Sequence, residues 1–207
     1  AFQTALSKSL LSINLARQYK DTELLMSCYL ILSEVYSFKG LTVNTVAAAF
    51  KALQLSESVG KKADQTFLHL CIAKRYLNLG QFQKAKGHLQ DVQAERLAFS
   101  FKRGLPLKAI YELEMARFFN QTEQWDSVKV RCSKAISQAI DASSKRQEAA
   151  AYKQLGIAYL GQDSMRLSKS YFRKAEKIFS ALDADIDLAD INSYYGQIDL
   201  SKKQFKS

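Results

Sequence analysis

Apolar positions along the chain follow two nested periods. The short one is helical. Tyr152, Leu155, Gly156 and Tyr159 fall at i, i+3, i+4 and i+7, which puts them on one stripe of a helix. After a short polar turn, Ser168, Phe172 and Ala175 make a second stripe. Ala85, Leu89 and Val92, and again Val128, Cys132 and Ala135, stand at the matching places of earlier segments. Each segment therefore predicts two helices joined by a turn.

The long period is 40 to 43 residues, marked by Tyr36, Tyr76, Phe119 and Tyr159. Three residues before each aromatic stands a small residue: Ser33, Ala73, Ala116 or Gly156. One place earlier stands a large apolar one: Leu32, Ile72, Met115 or Leu155. Gly196, preceded by Tyr195, continues the small series. A small residue lets paired helices approach closely, and the aromatic fills the space beside it. Gly40 and Gly80 sit just past a first helix, where a left-handed cap is wanted. Phe82 and Trp125 open the second helices.

This pattern resembles the tetratricopeptide repeat, TPR. The best copy is YKQLGIAYLGQDSMRLSKSYFRKA at 152–175, and the next is HLCIAKRYLNLGQFQKAKGHLQDV at 69–92. The period exceeds the family's usual value of about 34 residues, which implies longer helices. The first unit is degenerate. Thr45, Ala49 and Ala52 stand where Ala, an aromatic and Ala are expected, and Phe50 is one place out. No unit has a closing proline. The resemblance implies an all-α, right-handed solenoid of antiparallel hairpins with about ten helices. A single array over 1–207 is the expected organisation. Residues 1–25 hold the second helix of a preceding unit, full units span 26–65, 66–108, 109–148 and 149–188, and 189–207 begin a fifth. Both ends then cut through a unit, so the expectation is a piece of a longer array, or ends capped by something else. Phe205 would open the next second helix. Segment 97–108 carries the extra residues and the one proline, Pro106, placed to start a helix; an ordinary long turn is preferred over a ligand loop.

In the resembled family the concave face is lined by first helices. Carried over, the ligand groove comprises Glu34, Phe38, Lys74, Asn78, Arg117, Gln121, Lys153 and Ile157. Lys74, Arg117 and Lys153 are the candidates for holding carboxylates. The family's chaperone-tail clamp is absent, because Leu30 with Glu34 and Leu70 with Lys74 occupy its places.

Composition adds limits. One proline and 8 glycines in 207 residues disfavour a turn-rich β fold. No apolar run reaches the length of a membrane span. The N-terminal residues do not form an intact signal peptide and lack Met. The net charge of +10 favours acidic partners, or else solvates helix surfaces. Cys28, Cys71 and Cys132 are odd in number, far apart, and outside any CxxC, so they read as buried hydrophobes of a reducing compartment. The expected location is cytoplasmic, or periplasmic in a membrane-anchored sensor.

No catalytic motif is present: no GxSxG, GxxxxGK[ST], GxGxxG or HExxH. With His69 and His88 the only histidines, a zinc site is not expected, and no cofactor is called for. His69 lies on its stripe as a core or near-core residue. The acidic run 183–190 lacks calcium-loop spacing and reads as a turn leading into a helix whose positive end favours acids. The preferred function is a non-catalytic scaffold binding a protein or peptide, the interaction region of a larger signalling or regulatory protein. A sensor for a small peptide or metabolite and a basic nucleic-acid-binding solenoid are the alternatives. Polar contacts do not recur at fixed positions, which disfavours base-by-base RNA reading. Exposed apolar ends could pair two copies.

Overall fold

The computed structural model describes residues 2–60, 62–93 and 106–204, with side chains described as far as Leu200. Among these residues there are ten α-helices and no strand. They are α1 Phe2–Gln18, α2 Thr22–Phe38, α3 Thr42–Ser58, α4 Lys62–Asn78, α5 Phe82–Asp91, α6 Leu107–Gln121, α7 Trp125–Asp141, α8 Lys145–Gly161, α9 Met165–Ser180 and α10 Asp185–Gln204. The chain divides into two compact units, Ala1–Leu105 and Pro106–Ser207. Six of the ten helices are 17 residues long, so they are long for the resembled repeat, as the wide period implies. None of the described helices is long and apolar enough to cross a membrane.

The turns explain the regularity. Gly40 and Gly80 take φ +70° and +69°, as their places past a first helix require, and Gly60 takes +72°. Five non-glycine residues adopt the same backbone elsewhere: Lys20, Glu123, Ser143, Asp163 and Asp183. At these turns the N–H of the residue that follows returns to the carbonyl five residues back. Leu41 N–H reaches Tyr36 O at 3.0 Å, Gln81 N–H reaches Tyr76 O at 2.9 Å, and Ser164 N–H reaches Tyr159 O at 2.8 Å. This double-bonded turn satisfies the last carbonyls of one helix and reverses the chain into the next. At the first turn Asp21 adds a side-chain cap, accepting from Leu24 N–H at 2.9 Å.

The two stripes meet as their spacing requires. Ser33, Ala73 and Ala116 are buried on the first helices. Facing them, Ala85, Leu89, Val128, Cys132, Ala135, Ser168, Phe172 and Ala175 are buried on the second helices. The degenerate first unit obeys the same geometry, with Thr45, Ala49 and Ala52 fully buried. In the second unit α6 also packs on α8, and α8 on α10. Gly156 allows a close approach: a Cβ there would lie 2.5 Å from the Phe172 ring. Its carbonyl also accepts the Ser168 hydroxyl at 2.9 Å. Gly196 is different. It is exposed, and a Cβ there would meet no described neighbour within 4 Å. Gly161 likewise receives Trp125, whose ring would lie 2.5 Å from a Cβ at that site. The stretch 97–105 and Phe205 lie outside the described residues. Pro106 directly precedes α6, as its place in the sequence predicts.

Candidate functional site

In the first unit, Glu34 and Phe38 lie one turn apart on α2. Both face a cleft of about 630 Å³ between α1 and α2, lined also by Phe2, Ile31, Val35 and Lys39. The walls are apolar, and Phe38 is 96% exposed. Glu34 and Lys39 supply opposite charges at the rim, and the Lys39 ammonium sits 5.6 Å from the centre of the Phe2 ring.

The internal repeat shows what such a cleft holds. Helices α1 and α2 have the bounds of α7 and α8 at one constant offset. Phe2 thus corresponds to Trp125, Ile31 to Gln154 and Phe38 to Gly161. In the second unit the corresponding residues have other neighbours. Trp125 packs on Gly161. Asn120 of α6 donates to the backbone carbonyl of Gln154 at 3.1 Å and to its side-chain oxygen at 2.8 Å. Gln154 thus meets α6, whereas Ile31 and Phe38 of α2 are exposed.

The other predicted groove residues are placed as follows. On α4, Lys74 is half-buried and Asn78, its last residue, is exposed. On α6, Arg117 donates to the buried Glu114 carboxylate at 2.8 Å, and Gln121 is exposed at the helix end. On α8, Ile157 packs against the cluster of Phe172, Phe179 and Ile191. Lys153 is 13% exposed and reaches two acids of α10, Asp190 at 2.7 Å and Asp187 at 3.4 Å. Arg146 adds a bond to Asp187 at 2.8 Å. The carboxylates expected from a ligand at Arg117 and Lys153 are thus supplied by this chain. The acidic run does begin α10, with Asp185 and Asp187 in its first turn, and it also docks that helix on α8. Tyr194 of α10 stacks on Phe172 at 5.2 Å. Burial and the Asp190 carboxylate raise its phenol, and Arg117 pulls it back.

Sequence spacing passed over one constellation. His69 on α4 and His88 on α5 face each other, Nδ1 to Nδ1, at 2.9 Å. Asp91, one turn after His88, brings a carboxylate oxygen to 3.4 Å from His69. His69 is near-core, as its stripe position implies, with 18% of its side chain exposed. Burial lowers both imidazoles from the ordinary value of 6.5; Asp91 opposes this at both, and Glu57 of α3 opposes it at His69. The histidines are far apart in sequence, and only the hairpin turn at Gly80 makes them neighbours.

Helix hairpins with left-handed turns and a small–large–aromatic stripe define the class: the fold is that of TPR-like helical repeats. Among solved structures, BtubC (BKLC) from P. vanneervenii is similar at TM-score 0.62 and 14% identity, over 88% of this chain and 92% of that one. A putative kinesin light chain from Podosopora anserina, with nearly identical TPR-like repeats, is similar at TM-score 0.62 and 14% identity, over 87% of this chain and 88% of that one. A second structure of that kinesin light chain, a substituted form, reaches 0.64 at 14% identity, over 88% and 89%. Neither a family model nor a curated protein matches the sequence.

Proposed function

We propose that this chain is a non-catalytic scaffold that binds a helical segment of a partner protein. It would serve as the interaction region of a larger regulatory or signalling assembly. The observation that carries this reading is the α1–α2 cleft. Its exposed Ile31 stands where Gln154 of the second unit receives Asn120 of α6, and Phe2 and Phe38 line the same cleft. Laying an apolar helix face into such a groove is a common mode of peptide recognition. Glu34 and Lys39 at the rim would set the register of the bound helix by charge. Lys74 and Asn78 on α4 supply further polar contacts on the same unit.

The test is selection of displayed peptides on the native chain, repeated on an Ile31→Glu, Phe38→Glu variant. Both side chains are exposed, so the variant keeps its fold. Peptides with apolar residues at i, i+3, i+4 and i+7 that bind only the native chain support the reading. Ligands equally retained by both would move the site elsewhere. Retention of single-stranded nucleic acid in place of any peptide would favour the basic-solenoid alternative that the +10 charge suggests.

A further inference from the structure

The same seat between a first and a second helix recurs from hairpin to hairpin, and each fills it with different chemistry. Between α2 and α3, the Lys51 ammonium lies 5.4 Å from the Tyr29 ring. Between α6 and α7, Arg131 donates to Glu112 at 3.0 Å. Between α8 and α9, Tyr152 and Tyr171 stack at 6.3 Å, and Lys174 lies over both. Between α4 and α5, the constant offset replaces those three with His69, His88 and Asp91. Two phenols become two imidazoles, and the cation above them becomes a carboxylate. A cation-bearing seat has turned into a cation-accepting one.

The geometry points to a binding site for a zinc-class divalent cation, held by His69 and His88 with Asp91 as the third ligand. The three donor atoms lie within 4.8 Å of one another. A tetrahedral zinc with bonds of about 2.0–2.1 Å spaces its ligand atoms about 3.3 Å apart. The 3.4 Å between His69 Nδ1 and the Asp91 oxygen already meets this spacing. The 2.9 Å between the imidazole nitrogens needs only a small opening. His88 and Asp91 lie at i and i+3 on α5, so they share a face, and His69 completes the set from α4. The ring planes are held. Tyr76 stacks on His88 at 5.7 Å, and Phe50, the residue displaced by one place from the repeat pattern, meets its edge at 5.5 Å. Imidazole with one carboxylate suits zinc, cobalt or nickel, whereas magnesium and calcium prefer oxygen ligands throughout. Bound there, the ion would clip α5 to α4 and keep a fourth position open.

The chain carries only two histidines, so histidine NMR of the untagged full chain reads this site alone. On titration with zinc chloride, both imidazole spectra should shift together, saturate at one equivalent and return on chelation. The Tm should rise with zinc, because the ion binds the folded state. Magnesium should leave the spectra unchanged. Asp91→Asn, at a side chain 61% exposed, should fold normally and weaken zinc binding at least tenfold. Zinc bound with both imidazole spectra unmoved would place the ion on Cys28, Cys71 or Cys132 and overturn the assignment. So would unmoved spectra at millimolar zinc, which would leave the pair as a simple N–H···N bond. An Asp91→Asn variant with native affinity would remove the carboxylate from the site.

Discussion

A methyl group on Gly156 has nowhere to go. The Phe172 ring lies 2.5 Å from the position it would take, and Phe172 is fully buried. Gly156→Ala should therefore lower stability by about 1–3 kcal/mol, the usual range for overpacking a core. Chemical denaturation would read the loss, and adding Phe172→Leu should recover part of it. Neighbouring groups set a pH limit. Burial pushes the Cys132 thiol from 9.0 up to about 12. Burial and a hydrogen bond to Glu176 push the Tyr195 phenol from 10.0 up to about 12. Both are acids raised on folding, so the unfolded chain releases their protons first. Their stabilising contribution is full below pH 9 and is lost as pH rises toward 12. The melting temperature of the 106–207 unit, followed by the fluorescence of Trp125, should hold steady up to pH 9 and fall above it. At pH 7 an alkylating reagent should label the half-buried Cys71 ahead of the buried Cys28 and Cys132.

The element scale is governed by the turns. Gly40 carries a positive φ and has open space where a Cβ would stand. Its replacement by alanine would cost conformational energy alone, about 1 kcal/mol or slightly more. At Glu123, which takes φ +56° with a side chain, the reverse change to glycine should stabilise by about 0.5–1 kcal/mol. Thermal melts of the two variants should move in opposite directions. These turns also show what the sequence made legible. Gly40 and Gly80 could be read because glycine announces the left-handed cap. Lys20, Glu123, Ser143, Asp163 and Asp183 take the same backbone without announcing it, since the two hydrogen bonds of each turn impose it. The buried stripes were legible because helical period and burial are one fact. The Lys153–Asp190 pair was not, because it depends on how α10 lies across α8. Lys153→Glu should accordingly accelerate amide exchange along α10, because it sets a third carboxylate beside Asp187 and Asp190. A loss of partner binding in that variant would therefore report α10 rather than the groove, and Ile31 and Phe38 are the cleaner test positions.

At the scale of the whole molecule, the +10 charge and the apolar cleft recommend different partners, and salt separates them. Contacts to phosphates release counterions, so polyanion affinity falls steeply as salt rises. A helix seated on Phe2, Ile31, Val35 and Phe38 gains most from apolar burial, which salt leaves nearly untouched. Only its rim pairs with Glu34 and Lys39 would be screened, with a Debye length falling from about 10 Å at 0.1 M to about 3 Å at 1 M. The charge is also partly spent within the fold: Arg117, Arg131, Lys145, Arg146, Lys153 and Lys169 all meet carboxylates of this chain. A selected peptide should therefore change its affinity less than about threefold between 0.1 M and 0.5 M salt, while heparin binding should drop by an order of magnitude or more. Fluorescence anisotropy on the same preparation measures both. If the peptide's affinity falls in parallel with that of heparin, it is held by the basic surface, and the cleft is not its seat.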